Sequence, residues 1–340
     1  MNKRRERKNR EETIMKRSDR VQWFGVLIGL PVCAMSSEAL AQTWPLKPVR
    51  IVIPFTAGGG SDTVGRVLAQ SLSTATGQNF IIDNRPGAGG NIAFEYVAKA
   101  DADGYTLINS PIGIATNPSM YRSINFRFED FAAVTYVGEA PLLVVCNVTL
   151  PVRSLADLIR LAKARPGEIN YASPGTGSSA HLASETLKLM AGIDIVHVPY
   201  KGGPQAVHDV IGGQVAMTTL PLPETLPQVR AGRLRALGQT GAKRSAAVPD
   251  IPTLDEQGLK GYNVVTWYVI LAPARTPAAL INRIHAEFEA ALKLPEVQER
   301  LKAAGVADIV AGGPERATQF IRAEHARWSK LIQAAGIKAD

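Results

Sequence analysis

Ile51-Val52-Ile53-Pro54-Phe55-Thr56-Ala57-Gly58-Gly59-Gly60-Ser61-Asp62 reads as a short apolar strand that runs into glycines, then into a helix starting near Ser61 or Asp62. Val64, Val67, Leu68 and Leu72 follow at spacings that place them on one face of that helix. The glycines permit a sharp turn and a close approach of backbone to another body. Beyond them the helix start offers free N–H groups and the positive end of a peptide dipole. Such a corner suits an anion, a carboxylate above all, without a charged side chain. The same residues also suit a tight turn whose glycines serve packing alone, and this stretch by itself leaves both readings open.

Outward from the corner, strands and helices alternate. Val49–Phe55 is expected as a strand, Asp62–Thr76 as a helix, Phe80–Asp83 as a strand, Asn91–Ala100 as a helix and Tyr105–Ser110 as a strand. This alternation predicts an α/β unit with a mainly parallel sheet. A second series follows the apolar run Leu142–Asn147: helix Leu155–Ala164, strand Ile169–Ser173, helix Ser178–Met190, strand Ile195–Pro199, helix Pro204–Ile211 and strand Val215–Leu220. A short helix around Glu224–Arg230 leads to a strand at Leu234–Thr240, and Val264–Leu271 is a further strand. Pro277, Pro295 and Pro314 each open a C-terminal helix. If Leu142–Asn147 and Leu234–Thr240 are crossovers, the chain makes two lobes, residues 42–143 with 241–340, and residues 144–240. Ligands of open α/β sheets bind outside the carboxyl ends of strands, so two such lobes would set two glycine loops on opposite walls of a cleft.

The second loop is Ser173-Pro174-Gly175-Thr176-Gly177-Ser178-Ser179-Ala180-His181. Its hydroxyls add donors to the free N–H groups of a helix start, which makes a second anion clamp; Ser178 or Thr176 is also a plain N-cap. Gly175, Gly177 and Ala180 match the dinucleotide fingerprint, but the acidic Asp194 begins the next strand where the fingerprint needs it at the end. His181 beside Ser178 and Ser179 invites a serine hydrolase acting on carboxylic esters, yet no G-x-S-x-G elbow occurs. A structural role suits a histidine at that helix position better. His197-Val198-Pro199-Tyr200-Lys201-Gly202-Gly203-Pro204 is a third corner, where Tyr200 either closes over a ligand or packs at a domain edge. Trp267 and Tyr268 read as core. The five histidines and two cysteines make no metal-ligand spacing, and no nucleotide-phosphate loop is present, so neither metal nor cofactor is expected.

The formal charge of +8 does not imply nucleic acid. Residues 1–41 hold nine Lys/Arg and five Asp/Glu, so half of the excess lies there and the rest is scattered. That N-terminus has the form of an export signal. Lys16, Arg17 and Arg20 precede the apolar run Val21–Met35, and Ala39-Leu40-Ala41 supplies a small-residue cleavage site before Gln42. Met15 is the expected true start. Cleavage after Ala41 would remove Cys33 and leave Cys146 without an intrachain partner.

Taken together, these stretches resemble the Bug-type receptors of tripartite tricarboxylate transporters, the TctC family. The resemblance is carried by Trp44-Pro45, Pro54 to Gly59 with Asp62, Asn84-Arg85-Pro86-Gly87-Ala88-Gly89-Gly90, Asp103-Gly104-Tyr105-Thr106-Leu107, Asn117-Pro118, Tyr171 to His181, and Val198 to Gly202. Pro249-Asp250-Ile251-Pro252-Thr253, Trp267 and Ala272-Pro273 complete it. It implies a two-lobed, hinged periplasmic-binding-protein fold of the Venus flytrap kind (type II-like), in a monomer that passes a small carboxylate to membrane components. It also implies that the carboxylate is held by backbone groups and hydroxyls from Phe55, Thr56, Ala57, Gly58, Gly59 and Asp62 on one side. Ser173, Gly175, Thr176, Gly177, Ser178, Ser179 and His181 face them, and the segment Ser110 to Asn117 lines the same cleft. Two departures stand out: Ala102 where the family has proline, and Ala216 where it often has Asp.

Overall fold

The computed structural model describes residues 44–339; the expected export segment, its cleavage site and the Met15 start lie outside them. In chain order the elements are β1 (Val49–Ile53), α1 (Gly60–Thr76), β2 (Phe80–Asn84), α2 (Asn91–Ala98), β3 (Thr106–Ser110), α3 (Gly113–Met120), β4 (Phe131–Asn147), α4 (Leu155–Ala164), β5 (Asn170–Ser173) and α5 (Ser179–Ala191). There follow β6 (Val196–Pro199), α6 (Gly203–Ile211), β7 (Met217–Pro221), α7 (Leu222–Arg230), β8 (Leu234–Gln239), β9 (Val265–Pro273), α8 (Ala278–Lys293), α9 (Pro295–Ala303), β10 (Asp308–Gly312) and α10 (Pro314–Ala335).

The first sheet joins β2, β1 and β3 in parallel, then β9, β4 and β10 antiparallel. The second joins β6, β5 and β7 in parallel, with β4 antiparallel to β7 and β8 antiparallel to β4. The expected mainly parallel sheets are therefore mixed: β9 runs against β3 in the first, and β4 runs against β7 in the second. β4, 17 residues long, belongs to both: it pairs with β9 as far as Pro141 and with β7 and β8 from Leu142 onward. At the change-over, Leu142 and Thr240 are doubly bonded through their backbones and the Thr240 hydroxyl.

One buried cluster lies in the first half and one mainly in the second, while a third holds residues of both. The face of α1 read from the sequence, Val64, Val67, Leu68 and Leu72, packs on Ile51 and Ile53 together with Phe288 and Leu292 of α8. Full burial of such a side chain is worth about 1.5–3 kcal/mol, so this face alone secures the helix behind the glycine corner. In the second half Ala206, Val207 and Val210 of α6 pack on Ala172 and Leu220. Among the described residues no helix is long and apolar enough to cross a membrane.

Candidate ligand-binding site

The carboxyl ends of β1, β3, β5, β6 and β7 point toward a common seam, and every glycine loop of the sequence analysis lies there. Between the halves is a cavity with about 30 Å3 open to a water-sized body. Phe55, Gly59, Gly60 and Ser61 line it from the first corner, Pro174, Ser178, Ser179 and Ala180 from the second, Gly203 from the third, and Pro221 and Glu224 from the junction of β7 and α7. Four helix starts meet at it. Their N-cap residues are Gly59 for α1, Ser178 for α5, Gly202 for α6 and Pro221 for α7. None of the lining residues is Lys, Arg or His, so the groups there that can attract an anion are helix ends, N–H groups and hydroxyls. A larger hollow, about 790 Å3, opens on the outer face of the first half beside Lys47, Arg50 and Tyr96, away from these loops.

The expected site residues fall into distinct places. Phe55, Gly59, Ser178 and Ser179 line the cavity. Thr56 meets the opposite half at Gly202, and its buried hydroxyl has no partner among the described residues. Ala57 and Gly58 are exposed at the rim. Asp62 accepts hydrogen bonds from Gly58 N–H (2.9 Å), Arg66 Nε (2.8 Å) and Asn84 Nδ2 (3.0 Å). Burial favours its neutral form, but these donors outweigh burial and hold the carboxyl below its usual range. Asp62 thus builds the turn, and its oxygens already have partners.

In the second corner, Thr176 O accepts from Tyr121 OH (3.0 Å) and Gly177 O from Thr116 Oγ1 (3.4 Å), so both carbonyls close the seam. Gly175 faces Gly89 across it. Asn117 donates to Gly89 O and Asn91 Oδ1, shaping the loop Gly87–Asn91 from below. Ser110 donates to Pro111 O within its own half. Tyr200 donates to Asp209 (2.7 Å) and is engaged inside the second half.

Behind this corner lies a stack of rings. Tyr171 and His197 are 4.9 Å apart, and His197 and His181 4.3 Å. Ser173 Oγ bonds His197 Nε2 at 2.6 Å and accepts from Gly175 N–H. His181 Nδ1 accepts from Gly177 N–H, and Ser178 Oγ accepts from His181 N–H. The His181 ring thus supports a backbone turn, and no hydrogen bond joins it to either neighbouring serine hydroxyl. Burial pushes the His181 imidazole down to about 4, and burial with the neighbouring His181 takes His197 to about 3. The unfolded chain then binds these protons first as pH falls, so their contribution to stability is whole above about 6.5 and is lost toward 4. We expect unfolding free energy to drop by about 1 kcal/mol from pH 6.5 to 5.5 through His181 alone. Urea unfolding of wild type and His181→Gln checks this; an equal drop in both would refute it.

Two cleft residues with ionisable side chains escaped the sequence reading. Tyr268 is core by its ring but turns its hydroxyl to the cavity wall, where it has no partner; Trp267, one residue along the strand, points the other way to Glu324 of α10. Glu224, from the first turn of α7, reaches across the seam to accept from Gly60 N–H at 3.0 Å. Its signal was a carboxylate at a helix start just past the end of a buried strand.

The sequence model of the tripartite tricarboxylate transporter family receptor, TctC, matches residues 64–337. The chain belongs to this family. Protein BugT of Bordetella pertussis is 36% identical over 314 residues, covering 92% of this chain and 96% of BugT. Among solved structures, the periplasmic binding protein BugD superposes with a TM-score of 0.83 at 31% identity, covering 87% of this chain and 99% of BugD. The R. palustris protein Rpa4515, solved with adipate, gives 0.84 at 39% identity, with 87% and 99% covered. The two-lobed α/β architecture of this TctC-family chain is accordingly that of the periplasmic binding proteins.

Proposed function

We propose that this TctC-family chain is an exported solute receptor that closes on a small carboxylate and delivers it to the membrane components of a tripartite transporter. The observation that carries the reading is the cavity where helix starts from both halves converge with no cationic side chain. There N–H groups and hydroxyls suffice for an anion, because charge-assisted hydrogen bonds strengthen where water is excluded. The adipate bound by Rpa4515 supports the same ligand class. In this reading residues 42–143 with 241–340 move against residues 144–240, and closure completes contacts that either wall alone leaves unmade. The protein works in the periplasm as a monomer and turns nothing over.

A thermal-shift series against aliphatic, amino-acid and aromatic carboxylates tests this. A ligand at 100 times its dissociation constant adds about 2.7 kcal/mol, so at least one carboxylate should raise the midpoint by several degrees without being consumed. No shift with any of them, or turnover of a carboxylic ester lost in His181→Ala, would overturn the proposal.

A further inference from the structure

Glu224 is the one acidic side chain on a cavity wall that carries no cation. Only 8% of the residue is exposed. One oxygen, Oε1, accepts from Gly60 N–H at the start of α1. The other, Oε2, lies so close to Gly203 at the start of α6 that a Cβ there would overlap it, yet it has no hydrogen-bond partner among the described residues. Tyr268 OH, 1% exposed as a residue, is a second orphan on the same wall. Tyr268 and Glu224 also meet around one point: the tyrosine oxygen and Pro221 both press on Gly60, whose N–H the carboxylate holds.

A buried carboxylate with an unused lone pair calls for a donor, and in its ionised form, which burial disfavours until a counter-charge arrives, it calls for a cation. The converging helix ends offset part of that charge, but they leave Oε2 unbonded. A hydroxyl would satisfy the lone pair without neutralising anything. A second ligand carboxylate would bring like charge against like. An ammonium answers both needs, with several N–H donors to share between Glu224 Oε2 and Tyr268 OH. The remaining helix start, at Ser179 and Ala180 of α5, is left for the ligand's own carboxylate.

We propose that Glu224 selects for carboxylates that also bear a protonated amine, its Oε2 and the Tyr268 hydroxyl receiving the ammonium while the α5 corner receives the carboxylate. This rests on the receptor reading above and narrows its ligand. Glu224 is part of α7, in the second half, and Gly60 opens α1, in the first, so the selecting group acts only where the halves close.

The test is calorimetric titration of the purified protein with sets of three- to six-carbon acids matched in length. Within each set the members carry an ammonium, a hydroxyl, a second carboxylate or no second group. In wild type the ammonium member should bind at least tenfold tighter than its counterparts. Glu224→Gln keeps an acceptor for Gly60 N–H and should erase that preference while the dicarboxylate member binds as well or better. Tyr268→Phe, which keeps the ring, should weaken the ammonium member several-fold and leave the others unchanged. Circular dichroism establishes that both variants fold. A wild type that prefers the hydroxyl or dicarboxylate member overturns the proposal while leaving the carboxylate receptor standing, as does an ammonium preference that survives in Glu224→Gln. Failure of every set to bind overturns the proposal, and it overturns the receptor reading only where the aromatic carboxylates of the thermal-shift series give no shift either.

Discussion

Glu224→Gln should remove a pH-dependent destabilisation from the unligated protein. Burial pushes the Glu224 carboxyl up to about 7, with the Gly60 N–H opposing it only in part. Between about 4.5 and 7 the folded protein therefore holds a proton that the unfolded chain has released. Stability must then fall as pH rises through that window, opposite to the effect of His181. The expected loss from Glu224 between pH 5 and pH 8 is about 2–3 kcal/mol. Because the histidines act equally in both proteins, subtracting the variant's pH dependence from that of wild type isolates the carboxyl. Urea unfolding at the two pH values measures it, and a difference below about 0.5 kcal/mol would show that Glu224 ionises freely. A buried acid that weakens its own fold at neutral pH is the kind of cost that proteins accept at functional positions.

The second large effect concerns closure. Gly202 has extended backbone, φ −174° and ψ 162°, which any residue adopts. Its lack of a side chain matters for a different reason: a Cβ there would overlap Thr56 Oγ1 and lie 2.8 Å from Thr56 Cβ. Thr56 belongs to the first corner and Gly202 to the second half, so Gly202→Ala inserts a wedge at the seam and strains neither half. We expect unfolding free energy to stay within about 0.5 kcal/mol of wild type, as for an unstrained surface change. Affinity for the tightest carboxylate of the thermal-shift series should fall at least about 30-fold, or about 2 kcal/mol. Adding Thr56→Gly removes the obstructing atoms and should restore most of the loss, giving a coupling of at least about 1 kcal/mol in the double-mutant cycle. Wild-type affinity in Gly202→Ala would mean that the halves do not need this contact to hold a ligand.

Much of this architecture could be read before the structure was seen, for reasons that differ along the chain. The helix of Val64, Val67, Leu68 and Leu72 and the proline-led C-terminal helices follow local rules of period and capping, and they lie within a residue or two of where those rules put them. The first part of β4 did not, because Gly138, Glu139 and Pro141 interrupt its apolar run and its register shifts between Tyr136 and Gly138. α3 was missed because Gly113 and Pro118 weaken it locally and nearly all its residues are buried, leaving no polar face to show a period. The glycine corners were visible as corners. Which of their atoms remain free was not, since Asp62 claims the Gly58 N–H and Glu224 the Gly60 N–H through contacts 4 and 164 residues apart. A reading along the chain finds the first kind of partner and has no access to the second.

One consequence follows from β4 lying in both sheets. A strand that begins among β9 and β10 and ends among β7 and β8 works as a common spar, and neither sheet is complete without it. No cut in the chain frees either half with its edges intact. Melting of one half therefore strips a strand from the other, and the chain should come apart in a single step.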